Sequence, residues 1–285
     1  MKQPASVLLL TAALAGCATS PGGDPMQFNT GIKANKTISV EVFNARSNRD
    51  EVVPVRVYLP PTPSPAKPAL VFMGHCTGQL VPIHKHLIAT MLEKGAVVAE
   101  VATMEARGRP SQLCDENRFD TGNLRSEEAF RARDALAALG LADPKNVAVY
   151  GSSHGGYTLS WVIYGAAANN YSTSPPFRAA VGIYPGCRPF RTPEAIVKTP
   201  TLLMLGDRDN WTPVAPCAEM LRVTRGGEPL EMIVFPNATH SWDVNRPGRN
   251  SVTTSGEPTY LEYNDAVTRE SFAKTMEFFS RYLDF

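Results

Sequence analysis

The sequence contains no apolar run long enough to cross a bilayer. Its longest, residues 5–15, falls short of the ~20 residues that a spanning helix needs. Neither sign of charge is in excess, since 28 Lys+Arg stand against 27 Asp+Glu. Nothing electrostatic therefore points to nucleic acid or to a strongly anionic partner. Charged residues make up only 19% of the chain and hydrophobic ones 43%, which excludes a disordered polyelectrolyte and leaves ample material for a core. Histidines at metal-ligating spacing are also lacking. His84 and His86 lie two apart on an expected helix, so they point to different faces. No internal repeat and no second linker break the chain. An integral membrane protein and a nucleic-acid binder are both excluded, and a soluble enzyme or binding domain remains.

The first residues read Met1-Lys2, an apolar segment, then Leu14-Ala15-Gly16-Cys17. A positive start, a short apolar stretch and small residues at its end predict a secretory signal over residues 1–16. The last four residues resemble the lipobox of bacterial lipoproteins. That resemblance implies cleavage before Cys17 and a lipid on its thiol, with plain secretion as the alternative. Ala18 stands where an Asp would imply retention in the inner membrane of some bacteria, which favours the outer membrane. Residues 17–36, rich in Pro, Gly and polar side chains, read as a flexible tether carrying that cysteine. A periplasmic location is oxidising, so Cys76, Cys114, Cys187 and Cys217 become disulfide candidates, with three pairings open.

Residues 37–285 read as one domain. Two β-rich segments, 37–43 and 53–59, precede a turn-rich stretch holding Pro60, Pro61, Pro63, Pro65 and Pro68. From there short apolar strands alternate with helices. Strands are expected at 69–73, 96–101, 146–150, 179–183, 201–205 and 230–235. Helices are expected at 81–94, 124–139, 157–168, 213–224 and 268–283. Uninterrupted apolar strands alternating with helices indicate an α/β fold, a mostly parallel, doubly wound sheet with helices on both faces. Ligands in such folds bind beyond the carboxyl ends of the strands.

The strand expected at 146–150 is followed by Gly151-Ser152-Ser153-His154-Gly155-Gly156 and then a helix. This fits G-x-S-x-G, in which the central serine, Ser153, sits on a strained strand-to-helix turn that leaves no room for neighbouring side chains. A serine hydroxyl needs a base, and the base an orienting acid. Among five histidines, His240 is the best placed, on the loop after the strand at 230–235. His154 follows the serine, where its backbone N–H matters more than its ring, and His75 belongs to the loop after 69–73. For the acid, the strand at 201–205 runs into Gly206-Asp207-Arg208-Asp209, and either carboxylate stands at the right edge. Serine, aspartate and histidine then follow in the α/β-hydrolase order.

These features resemble the dienelactone hydrolase family of α/β-hydrolases, from about Val53 to the C-terminus. The residues that carry the likeness are Gly74-His75-Cys76-Thr77-Gly78, Arg107-Gly108-Arg109 and Arg131-Ala132-Arg133-Asp134-Ala135. Gly151 to Gly156, Tyr184-Pro185-Gly186-Cys187, Gly206 to Pro213 and Ala238-Thr239-His240 extend it. The resemblance assigns the acid of Gly-x-x-Asp-x-x-x-Pro to Asp209. It implies an oxyanion hole formed by the backbone N–H of His154 and one from Cys76 or Thr77. Two departures stand out: Ser153 replaces the family's cysteine nucleophile, and Gly74-His75 inverts the usual His-Gly order. A general carboxylic-ester hydrolase is therefore expected, acting on small or medium esters or lactones through an acyl-enzyme.

The strand order pairs the cysteines as Cys76 with Cys114 and Cys187 with Cys217, since each pair lies in the carboxyl-end loops of consecutive strands. Trp211 and Trp242 flank the expected acid and base and are candidates for the acyl pocket, with core packing the equal alternative. Residues 245–263 read as a long polar, turn-rich segment that could cover the site. No metal or organic cofactor and no nucleic acid are implied, and membrane contact is confined to the lipid anchor. The rival readings are a peptidase of the prolyl oligopeptidase type, an acyltransferase, and a non-catalytic binding lipoprotein on the same fold.

Overall fold

The central strands consist of side chains buried on both faces. In the computed structural model β4 (Ala69–Met73), β5 (Val97–Val101), β6 (Val147–Ser152), β7 (Ala179–Ile183) and β8 (Thr201–Gly206) are buried at every position. Such runs suit parallel strands with helices above and below. The model describes residues 9–10, 26–44, 48–108, 119–164, 175–187, 196–224, 226–245, 250–254 and 257–285. By contrast β2 (Lys36–Asn44) and β3 (Arg49–Tyr58) alternate between buried and exposed positions, as an antiparallel pair with one open face does. With β1 (Leu9–Leu10) and β9 (Leu230–Phe235), these strands form one nine-stranded sheet in the order β1-β9-β8-β7-β6-β4-β5-β3-β2. Within this sheet only the β2–β3 and β3–β5 pairs are antiparallel.

One face packs on α3 (Phe119–Ala138), α4 (His154–Val162) and α5 (Val214–Val223), burying Phe130, Leu159 and Met220 against Val71 and Val149. The other packs on α1 (Pro82–Glu93) and α6 (Asp265–Tyr282), where Leu87, Met91, Phe278 and Phe279 meet Leu70, Phe72 and Ala148. A short α2 spans Thr103–Ala106. The expected doubly wound α/β architecture is what the chain adopts.

The strand order creates the place for a site. The chain runs outward from β4 to β5, then returns to lay β6 on the other side of β4, with Met73 opposite Gly151. The loops after β4 and β6 thus meet at a switch point of the sheet, where α/β folds hold their ligands.

Three expectations change. The C-terminal part of the expected tether is docked: the Met26 N–H donates to Asp265 (3.0 Å) and the Asn29 N–H to His86 Nδ1 (3.1 Å). Ile32 and Ala34 pack against the core beneath α1 and α6. Isolated apolar residues among polar ones gave no periodic signal for this strap. Residues 245–263, expected to be irregular, hold a hairpin of β10 (Asn250–Thr254) and β11 (Glu257–Leu261). Two β-branched or aromatic runs around Ser255-Gly256 were its sequence signal. Helix α4 begins at His154, three residues before the expected start, because β6 reaches Ser152 and the turn occupies Ser153 alone.

Candidate active site

Ser153 connects β6 to α4 with φ 52° and ψ −116°, a region that side-chain-bearing residues avoid at a cost of about 1–3 kcal/mol. Its N–H donates to Ile183 O (2.9 Å) and its carbonyl accepts from Tyr157 N–H (2.8 Å). The flanking glycines have no alternative. A Cβ on Gly151 would lie 2.3 Å from Gly155 O, and one on Gly155 would lie 2.0 Å from Met73 O. Gly155→Ala is expected to destabilise the domain by about 3 kcal/mol or more through overpacking, lowering Tm by about 6–12 °C in a chain of this size. A melting curve matching the parent's would show that the elbow can open.

His240 lies beyond β9, between Asn237 and Ser241, both with positive φ (59° and 56°). The hairpin buttresses this loop, since Leu261 pairs with His240 and Glu262 N–H donates to Thr239 Oγ1 (2.8 Å). The ring spans two partners: Nε2 is 2.9 Å from Ser153 Oγ and Nδ1 is 2.8 Å from Asp209 Oδ2. All three residues are buried, at 9% exposure for Ser153, 4% for Asp209 and 2% for His240. Asp207 is exposed and its backbone N–H serves β9, so Asp209, the aspartate the resemblance assigns, is the carboxylate that turns toward His240.

Asp209 is held ionised by its surroundings. Oδ1 accepts from the Trp211 and Thr212 N–H groups (2.9 and 2.8 Å), and Oδ2 lies 2.7 Å from the Thr212 hydroxyl. Burial alone would raise its carboxyl, but His240 and the Thr212 donors outweigh that and hold it below the usual carboxylate range. An ionised carboxylate can only accept, so Nδ1 of a neutral His240 carries the hydrogen and Nε2 presents its lone pair to the Ser153 hydroxyl. Thr212, whose hydroxyl also reaches His240 Nδ1 (3.0 Å), was not singled out in the sequence.

The remaining histidines take other duties. His84 is fully buried, with Nε2 3.2 Å from Ser152 Oγ, and burial pushes its imidazole down to about 3. Ser152 is therefore occupied beneath the elbow. His154 opens α4, where the first N–H groups have no partner within the helix. Burial, reinforced by Arg125 and Arg107, pushes its ring to about 3, leaving it neutral. Its Nδ1 accepts from Arg125 Nη1 (2.7 Å), while Nη2 of the same guanidinium donates to Gly74 O (2.9 Å). Arg125, fully buried on α3, thus joins the loop after β4 to the start of α4. The sequence offered no signal for this, because an arginine at helical spacing reads as an exposed charge.

Cys76 is buried and disulfide-bonded, and its expected partner Cys114 lies outside the described residues, as does Cys17. Thr77 is half-buried in the turn closed by Gly78 N–H to His75 O (3.1 Å). Cys187 and Cys217 form the expected disulfide, tying the loop after β7 to α5 just behind Asp209. The tryptophans separate. Trp211 is half-buried, its ring 5.0 Å from that of His240. Trp242 corrects the pocket expectation: it is fully buried against Tyr184 and Phe235, and its indole N–H donates to Ser271 Oγ (3.2 Å). A residue two past His240 on a loop turning back to α6 points into the core.

A sequence model of the dienelactone hydrolase family matches residues 55–283. No curated protein matches the chain. Among solved structures, a dienelactone hydrolase-like promiscuous phosphotriesterase from metagenomic libraries superposes with a TM-score of 0.59 at 18% identity, over 88% of this chain and 100% of that one. Thermogutta terrifontis esterase 2, phosphoramylated by tabun, gives 0.56 at 15% identity, over 89% and 97%. A puromycin-hydrolyzing peptidase of Mycobacterium tuberculosis gives 0.56 at 17% identity, over 87% of this chain and 40% of that one. At such identities the likeness is one of fold.

Proposed function

The chain belongs to the dienelactone hydrolase family of carboxylic-ester hydrolases, and from that premise we propose that it cleaves small or medium esters or lactones through an acyl-enzyme on Ser153. The observation that carries this reading is the buried chain from Ser153 Oγ through His240 to Asp209, with links of 2.9 and 2.8 Å. His240 takes the Ser153 proton as Oγ attacks the ester carbonyl, and Asp209 stabilises the imidazolium that forms. The tetrahedral oxyanion is received by the His154 N–H and an amide from Cys76 or Thr77. His240 then returns the proton to the departing alcohol, and a water activated by the same ring releases the acid. Support for an oxyanion hole at this place comes from the neighbourhood of the loop after β4 and the start of α4, which Arg125 spans. Labelling with a fluorophosphonate tests the reading directly. Ester turnover and label should disappear together in Ser153→Ala, and label on another residue would overturn it.

The same reading places the enzyme at a bacterial cell envelope, lipid-anchored through Cys17 and facing the periplasm. The Leu14-Ala15-Gly16-Cys17 motif supports it. Cys17→Ala is expected to move the protein from the membrane fraction to the soluble one, and unchanged fractionation would remove the anchor.

A further inference from the structure

Tyr184 stands where the loops of the site meet. It directly follows β7 at φ 36°, a strained value for a residue with a side chain that persists only where the surroundings over-determine it. The surroundings here are specific. Its N–H donates to Met204 O on β8 (2.7 Å), and the carbonyl one residue earlier holds the Ser153 N–H (2.9 Å). Its own carbonyl lies 3.0 Å from the hydroxyl of Thr212, the residue that surrounds Asp209. The phenol donates to Asp243 Oδ1 (2.7 Å), three residues past His240, and lies 2.8 Å from His75 Nε2 on the loop after β4. The ring packs edge-on against His240, with centroids 4.8 Å apart. One fully buried residue therefore touches the elbow, the acid loop, the base loop and the loop expected to supply the second oxyanion amide.

The hydroxyl has a defined polarity. Asp243 is fully buried, and burial raises its carboxyl to about 6 against the opposing pull of the Tyr184 hydrogen bond. While Asp243 is ionised it can only accept, so the phenol gives its hydrogen there and offers a lone pair to His75. His75 is then held as the Nε2–H tautomer. Fully satisfied buried chains of this kind rigidify what they join.

We infer that Tyr184 is a positioning residue for ester cleavage: its hydroxyl, set between Asp243 and His75, keeps the base loop and the oxyanion loop in one register. This inference rests on the reading of Ser153 as nucleophile. No distance from Tyr184 to a reacting atom is involved; it acts through His75 and the His240 loop. A misplacement near 1 Å in such a site costs ~10²-fold in rate.

Tyr184→Phe keeps the ring and removes the hydroxyl, and His75→Leu cuts the same link from the other end. Each is expected to lower kcat per fluorophosphonate-titrated serine by about 10–100-fold, with KM changed by less than about threefold, because substrate binding is untouched. The double variant should be no slower than the worse single one, as members of one unit are non-additive. Normalising to titrated serine separates this from loss of fold, which lowers the number of active sites and leaves the turnover of each unchanged. If Tyr184→Phe does not fold, His75→Leu with its reversal by His75→Gln, whose amide N–H₂ stands near the place of Nε2, carries the same comparison. Turnover per site within twofold of the parent, or losses that multiply in the double variant, would overturn the inference while Ser153→Ala stays inactive and the ester-hydrolase reading stands. A Ser153→Ala protein with parental turnover removes both.

Discussion

Ser153→Ala and His240→Ala are each expected to lower kcat on a small chromogenic ester by about 10⁶, leaving ~10³–10⁴ of acceleration over water. The geometry explains why the two losses should be equal. Among the described residues Ser153 Oγ has one neighbour able to take its proton, His240 Nε2 at 2.9 Å, and the pair is nearly closed to bulk solvent. Without the imidazole the hydroxyl stays protonated and a poor nucleophile; without the hydroxyl the imidazole has nothing to activate. The double variant should therefore be no slower than either single one. What remains in all three is the strained turn and whatever amides receive the oxyanion, which substitution of side chains does not delete. Steady-state rates on protein whose far-ultraviolet circular dichroism matches the parent check this. A residual rate within tenfold of the parent in either variant would end the assignment.

Asp209→Asn is expected to cost about 10⁴ in kcat at neutral pH, although the replacement is almost isosteric. The reason lies in two backbone donors. The N–H groups of Trp211 and Thr212 both point at Oδ1, so an asparagine must place its carbonyl oxygen there. Its NH₂ group then faces His240 Nδ1, which accepts instead of donating. That forces the hydrogen onto Nε2 and turns the ring's other nitrogen into a donor toward Ser153, the tautomer that cannot act as base. Asp207→Asn, by contrast, changes an exposed side chain two residues away and should leave kcat within twofold. Parallel kinetics of the two variants decide the matter, and equal losses would place the acid elsewhere.

The strands of the sheet were legible because their signal is local and doubly redundant. Runs such as Ala69–Met73 and Ala179–Ile183 are apolar at every position and buried on both faces, so no register error can hide them. The turn at Ser153 was legible for a steric reason, since the atoms that exclude a Cβ at Gly151 belong to its own motif. The hairpin at 250–261 and the docked strap at 26–35 were missed because neither carries a long periodic pattern. The strap is held by partners far along the chain, as Met26 is by Asp265, whereas the hairpin strands pair with each other.

Sequence alone determined the α/β class, the strained serine and the order of serine, aspartate and histidine. All three follow from hydrophobic runs, glycine sterics and the rule that strands present their carboxyl ends to ligands. The resemblance had already assigned the acid to Asp209; tertiary structure decided that Trp242 belongs to the core and Trp211 to the site, and that Arg125, Thr212, Tyr184 and Asp243 serve the loops around Ser153. Those outcomes depend on partners such as His75 and Tyr184, 109 residues apart, which only the return of the chain across the sheet brings within hydrogen-bond reach. A residue type in isolation does not reveal whether its charge or hydroxyl will meet water or a buried partner, and in this protein that difference separates the surface from the site.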